Sequence, residues 1–294
     1  MSEPGDRSEG NGRVTARGPV DLLCTVRGCG LPLARAETAA RCGAGHSFDR
    51  ARSGYWNLLQ PQDRRSATPG DAAPIAAARR RLFERGIAAP IVAALRALLA
   101  GQAFLRGGAL LDVGCGEGSI LGTLAGALGV EAHGVDLSSP ALRLAATSYP
   151  AATWVVANAD RALPYASGAF GAVLSITARR PGAELRRVLD PGGLLIVAVP
   201  AEDDLAELRA RVLGEARALG GGPGVRQELE PWFEPLGDAT VRSRFVADHA
   251  TCSDLLLATY RGQRTSQSDA GARIDGLELT SAQRIQTFRP RGVP

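Results

Sequence analysis

Between Ala109 and Ser138 the pattern of hydrophobic positions changes period twice. The run "ALLDV" (109–113) is apolar without alternation, which predicts a short strand buried on both faces. "SILGTLAGAL" (119–128) has helical spacing, and "VEAHGVDLS" (130–138) reads as a second strand ending at Asp136. Further on, "TWVVANADRALPYASGAFGAVLS" carries a strand, a loop and a strand. "RVLDPGGLLIVAVP", Arg187 to Pro200, carries a helix end, a turn at Pro191, Gly192 and Gly193, and another strand. Strands alternating with helices predict an α/β, Rossmann-like domain, placed at 101–294. Before it the pattern differs. Residues 1–18 are polar and glycine-rich and are expected to be a disordered tail. Residues 19–60 are rich in cysteine, and 61–100 read as a basic helical connector.

The turn after the first strand holds Gly114, Gly116 and Gly118, which allow a tight bend and close approach of a ligand to the backbone. The following helix presents free N–H groups. Asp136 comes 22 positions after Gly114, close to the ~20 expected of an acid that binds ribose hydroxyls. Charge selects the ligand. A dinucleotide site wants G-x-G-x-x-G with pyrophosphate on the helix end. This chain has G-x-G-x-G, with Asp112 before it and Glu117 inside it. Carboxylates there repel a pyrophosphate and attract a sulfonium and an amino group. The expected cofactor is S-adenosylmethionine (SAM) rather than NAD, with Cys115 and Leu137 also in its shell.

Cys24, Cys29, Cys42 and His46 stand in the pattern C-x4-C-x12-C-x3-H. Three thiolates and an imidazole can close a tetrahedral zinc shell, with no position left open for chemistry. The alternative is a set of buried free cysteines. The two others, Cys115 and Cys252, stand far apart, which fits a reducing, cytoplasmic setting.

Charge changes the picture little. The 294 residues carry a formal net charge of +4, which is compatible with nucleic acid. The sequence has no lysine, so every one of its 34 basic side chains is arginine. That suits bidentate phosphate contacts, or reflects genome composition. Arg50, Arg52, Arg64, Arg65, Arg79, Arg80 and Arg81 lie between the cysteine cluster and the glycine turn, with Tyr55 and Trp56 among them. Arginines interleaved with aromatics suit an RNA backbone and unstacked bases; a solvated helix face with packed aromatics is the plainer reading. No apolar run approaches the ~18 residues of a membrane span, and no secretory leader is expected.

With these residues in view, "LLDVGCGEG" resembles the first motif of class I SAM-dependent methyltransferases. In that fold Asn158 falls where the adenine binds. "HSFDRARSGYWNLL" followed by "PGDAAPIAAARRRLFERG" resembles one family more closely: the large-subunit rRNA guanine-N1 methyltransferases, which include macrolide-resistance members. The matching positions are His46, Phe48, Asp49, Ala51, Gly54, Tyr55, Asn57, Leu58, Leu59, Gly70, Asp71, Ala78, Arg79, Arg80 and Gly86. The resemblance implies a zinc knuckle, SAM as methyl donor, and a guanine N1 in a 23S rRNA hairpin as target; it implies no membrane, and a homodimer is allowed for. Departures occur where the family usually has aromatics or histidine, at Ser119, Ile120, Ile87, Ala88 and Asp204, and where it usually has an Ala-Pro pair, at Ala178 and Arg179; "TYRG", Thr259 to Gly262, replaces another family segment. These keep two alternatives open: a diverged methyltransferase acting on another RNA or a small molecule, or a non-catalytic RNA-binding relative. The residues name no catalytic base. Asp71 is one candidate, with an N-cap role for the following helix as the alternative.

Overall fold

The computed structural model describes residues 19–63, 69–105, 108–213, 224–259 and 274–292. The expected tail, Arg64, Arg65 and residues 260–262 lie outside them.

The cysteine-rich segment forms a small antiparallel sheet of β1 (Leu33–Arg35), β2 (Ala39–Cys42) and β3 (Ser47–Asp49). A fourth strand, β4 (Trp56–Asn57), leaves that sheet for the large one. The connector gives α1 (Ala73–Glu84) and α2 (Ala89–Leu99), both with proline in the first turn, where its missing N–H costs nothing. The expected unit of strand, helix and strand is present as β5 (Ala109–Val113), α3 (Ser119–Leu128) and β6 (Glu131–Asp136). Next come α4 (Ser139–Ser148), capped by the Ser138 hydroxyl, and β7 (Thr153–Val156). β8 (Phe170–Ile176), α5 (Gly182–Val188) and β9 (Leu189–Pro200) follow. Pro191–Gly193 do not end the strand. They bulge out of β9, where the pairing steps from Leu189↔Phe170 to Leu194↔Ala172. The chain closes with α6 (Ala206–Leu213), α7 (Val225–Leu229), β10 (Phe233–Ala247), α8 (His249–Thr259) and β11 (Leu277–Pro290).

Among the described residues the large sheet runs β10-β11-β9-β8-β5-β6-β7-β4. β4 to β9 are parallel to their neighbours, and β11 inserts antiparallel between β9 and β10. This is the Rossmann-like mixed sheet of a class I methyltransferase, extended by one strand. The strand order reverses beside β5, so a crevice opens at the carboxyl end of β5, where such folds bind ligands.

The cysteine-rich module has no core of its own. Leu22, Cys24, Leu33, Phe48 and Trp56 share one buried cluster with Val135, Val155, Tyr165 and Phe170 of the large domain. Strands of two to four residues bury too little surface to stand alone. Trp56 is 5% exposed, and Tyr55 packs half-buried against the second core cluster. Trp56 is packed inside the protein and not presented to a base. Arg50 lies over the Trp56 ring at 5.3 Å and donates to the Gly54 carbonyl.

Candidate functional site

Cys24, Cys29, Cys42 and His46 converge, with their ligand atoms within 4.8 Å of one another. Gly28, Gly30 and Gly45 have positive φ values of 77°, 63° and 83°, a backbone that L side chains rarely adopt, and form the turns that aim the thiols inward. The His46 Nδ1 lies 3.4 Å from both the Cys24 and Cys42 sulfurs, and the Cys29 and Cys42 sulfurs are 3.8 Å apart. Two sulfurs each about 2.3 Å from a tetrahedral zinc stand about 3.8 Å apart, so the set has the dimensions of a zinc shell. As free thiols the cysteines are ill-matched. Burial pushes Cys24 up to about 12. Cys42 is held at about 7, where burial opposes but the backbone N–H groups of His46 and Ala44 prevail. A cation that favours thiolate removes that mismatch.

The second site is a cavity of about 650 Å³ at the carboxyl end of β5. One wall is Asp112, Gly114, Cys115, Gly116 and Glu117; Arg79 and Leu82 of α1 and Leu255 of α8 form another. The third comes from the antiparallel end of the sheet, with Asp204, Ser281 and Gln283. Asp112 is 2% exposed, and its Oδ1 has no hydrogen-bond partner. Burial, then the charges of Asp136 and Glu117, push its carboxyl up to about 8. A buried acceptor without a donor is costly, and a bound ammonium group would satisfy it. This fits the amino group of SAM. Cys115 also lines the cavity, and burial and three neighbouring carboxylates raise its thiol well above the usual range, which disfavours thiolate.

The three glycines of the turn do different things. A Cβ on Gly114 would lie 2.4 Å from that of Ala178, and one on Gly118 would lie 2.5 Å from the Trp154 ring. Those two permit packing within the protein. Gly114 and Gly116 both line the cavity, and at Gly116 the nearest atom to an added Cβ is Arg79 Nη1 at 3.8 Å.

Asp136, Leu137, Gly118 and Asn158 do not line this cavity. Asp136 accepts from the backbone N–H groups of Gly116 (2.9 Å) and Ser138 (2.7 Å), so it clamps the glycine turn to the next loop. Asn158 is 8% exposed and donates to the Asp63 carbonyl at 3.1 Å. The Ser138 hydroxyl donates to the Asp71 carbonyl at 2.6 Å. The connector therefore lies against the ends of β6 and β7 at two points.

Asp71 does not cap the following helix. The N-cap of α1 is Ala72, which has no side-chain cap, and Asp71 does not line the cavity. Its carboxylate meets Arg79, two turns along the helix, at 3.1 Å. The helix arginines are also engaged. Arg80 pairs with Glu84, donates to the Ser119 hydroxyl and stacks on Tyr149. Arg81 and Arg85 both pair with Asp254 of α8. Carboxylates of the fold hold this cluster, which sequence alone presents as a phosphate-binding face. Arg81 is itself 48% exposed, and further exposed arginines lie nearer the zinc ribbon: Arg27 (64% exposed) and Arg161 (47%) share Asp63, and Arg179 (74%) pairs with Asp160. Asp204 stands out in sequence only as a departure; its partner on β11 lies nearly 80 positions away, and no local pattern links them.

Residues 23–67 match the family described as RlmA, N-terminal, a zinc ribbon, and residues 110–193 match the methyltransferase domain family. A 23S rRNA (guanine(748)-N(1))-methyltransferase of Streptomyces fradiae is 36% identical over 229 residues, which cover 75% of this chain and 79% of that one. A relative from Micromonospora griseorubida is 33% identical over 295 residues, covering 92% and 97%. Among solved structures, a SAM-dependent methyltransferase from Geobacter sulfurreducens in complex with S-adenosyl-L-homocysteine matches at 18% identity and a TM-score of 0.43, covering 68% of this chain and 90% of that one. No helix among the described residues is long and apolar enough to cross a membrane. The chain belongs to the 23S rRNA (guanine-N1) methyltransferase family, and joins a zinc ribbon to a SAM-dependent methyltransferase domain.

Proposed function

We propose that this protein transfers a methyl group from SAM to N1 of a guanine in 23S rRNA. The observation that carries the reading is the orphaned Asp112 carboxylate on the wall of a cavity shared by the glycine turn and the antiparallel end of the sheet. SAM supplies an electrophilic methyl group on a sulfonium. Asp112 and Glu117 are the groups that hold its amino end, and the backbone at Gly116 takes its close approach. Asp136, Leu137 and Asn158 stand at the ends of β6 and β7, the side on which the ribose and adenine belong. Their assignment rests on that position alone. Zinc held by Cys24, Cys29, Cys42 and His46 is structural, since four protein ligands leave no open position.

Arg27 of the zinc ribbon, with Arg161 and Arg179, offers the RNA one exposed rim about Asp63 and Asp160. Such groups position a phosphate backbone without reading sequence. The cavity, of about 650 Å³, is of the size that holds a cofactor and one extruded base. The test is transfer from labelled SAM to unmodified 23S rRNA transcript, followed by nucleoside mass spectrometry. Formation of 1-methylguanosine is the expected result. An absence of transfer to 23S rRNA or any fragment of it, by protein with full zinc and measured SAM affinity, refutes the reading.

A further inference from the structure

Of the described non-glycine residues, Thr177 and Leu205 alone have positive φ, at 52° and 50°. Both line the cavity. Strained backbone of this kind persists where the surroundings over-determine it, and it clusters at functional sites. Thr177 is held by its N–H on the Ala198 carbonyl, and Leu205 by its N–H on the Thr280 carbonyl at 2.7 Å. Leu205 directly follows Asp204.

Asp204 is fixed from several sides. Its Oδ1 accepts the Ala282 N–H at 2.7 Å, and its own N–H donates to the Ala201 carbonyl. Arg209, 4% exposed, donates to the Asp204 and Glu202 carbonyls and so holds the loop between β9 and α6. Asp204 is 6% exposed and lines the cavity. The acids on the described lining are Asp112, Glu117 and Asp204. The first two belong to the glycine turn and to the amino end of the cofactor. Asp204 stands in the loop after β9, is tied to β11 through Ala282, and lines the cavity away from the glycine turn in sequence.

We propose that Asp204 is the proton acceptor for the guanine N1–H. This rests on the reading of the protein as a guanine-N1 methyltransferase. A neutral guanine carries a proton on N1 and must lose it before, or as, N1 forms its bond to carbon. The N1–H bond breaks to the Asp204 carboxylate, the N1–CH3 bond forms, and the S–CH3 bond breaks with its electron pair left on sulfur. Methylated guanine, a neutral thioether and a protonated Asp204 result, and solvent takes the proton afterwards. The carboxyl is suited to accepting a proton, because burial raises it above the ordinary range, against the Ala282 N–H, the Gln283 side chain and the charge of Arg209. Asp203, itself paired with Arg242 of β10, also acts on it, and the cavity lining further carries Arg79, Asp112 and Glu117.

Asp204→Asn is the deciding variant, because its amide oxygen can still accept the Ala282 N–H. Single-turnover methylation of 23S rRNA transcript is followed from pH 5.5 to 9.5, with thermal unfolding and calorimetric affinity for S-adenosyl-L-homocysteine measured on the same samples. Unfolding temperature and cofactor affinity should match wild type, while the rate at pH 7 falls about 10²- to 10⁴-fold. The pH profile should also change form. Wild type levels off above the Asp204 pKa, whereas the variant keeps rising, as solvent removes the proton, until the guanine N1 itself ionises. An Asn variant with the wild-type rate and profile overturns the assignment, as does one whose rate falls only in step with its folding or cofactor affinity. Wild-type protein that binds cofactor but methylates no 23S rRNA removes the functional reading, and the assignment with it.

Discussion

Arg81 of α1 donates from Nε and Nη2 to both oxygens of Asp254 on α8, at 2.5 to 3.2 Å, and joins two helices 173 residues apart in sequence. Arg85 adds a third donor to the same carboxylate at 2.6 Å. Asp254 is 6% exposed, so its charge depends on these two arginines. The two helices form one wall of the cavity, through Arg79 and Leu82 on one and Leu255 and Ala258 on the other.

Asp254→Ala should loosen that wall. Arg81 and Arg85 are 48% and 33% exposed, so solvent screening reduces the loss to about 1 kcal/mol. That corresponds to about 2–4 °C in melting temperature for a chain of this size. Burial raises the Asp254 carboxyl, but the bonds from Arg81 and Arg85 outweigh it and hold it below its ordinary value. A depressed carboxylate stabilises above its unfolded pKa, so the difference between wild type and variant should be constant from pH 8 down to about 5 and then shrink as the pH falls through the lowered folded pKa. Melting curves across that range check it. RNA affinity should not change; a variant with normal stability and altered RNA affinity would show that these arginines serve RNA.

Zinc removal should unfold more than the ribbon. Cys24 and Cys42 are part of the buried cluster that includes Val135, Val155 and Phe170 of the large sheet, and β4 pairs with β7. Cys24→Ser should lose the metal and lower the melting temperature of the whole chain in one transition, because structural zinc contributes folding energy directly. Metal analysis with calorimetry checks both parts. Two separated transitions, with the methyltransferase domain unaffected, would mean that the ribbon is an independent unit.

The parts of this site that are legible in sequence are those made by neighbours in the chain. Asp112, Gly116 and Glu117 lie within six residues and reach one cavity wall, because a strand, a tight turn and a helix leave the backbone few alternatives. The four residues of the zinc shell, Cys24, Cys29, Cys42 and His46, are likewise local. In the basic connector, composition records charge and not its partner. Arg79, Arg80 and Arg81 follow one another on α1 and therefore point three ways, to Asp71, Glu84 and Asp254. Asp204 needs the sheet: the Ala282 N–H that fixes it comes from β11, which inserts antiparallel beside β9.

The exposed rim of Arg27, Arg161 and Arg179 should carry the salt dependence of RNA binding. Each phosphate contact removed by alanine should lower the slope of log K against log salt by about 0.7 to 0.9. SAM affinity should stay at the wild-type value, since none of the three lines the cavity. Filter binding of a 23S rRNA hairpin at several salt concentrations measures it. A triple variant with the wild-type slope would move the RNA to another face.

Asp112 sets stability against ligand binding. Its folded pKa of about 8 lies above the ~3.9 of an unfolded aspartate, so between these values the folded chain holds a proton that the unfolded chain has released. Stability from this group is full below about pH 4 and declines as pH rises toward 8. Asp112→Asn removes the titration, so the variant should melt higher than wild type at pH 8 and similarly at pH 4. It should also bind SAM more weakly, by about 1.5–3 kcal/mol, the range for a hydrogen bond to a charged group. An ammonium beside Asp112 favours the carboxylate, so wild type should release a proton on binding SAM at pH 7. Calorimetry in two buffers of different ionisation enthalpy would detect it, and the Asn variant should release none from this position. Equal proton release by both proteins, or equal SAM affinity, would detach the buried carboxyl from the cofactor and leave its raised pKa a property of the fold alone.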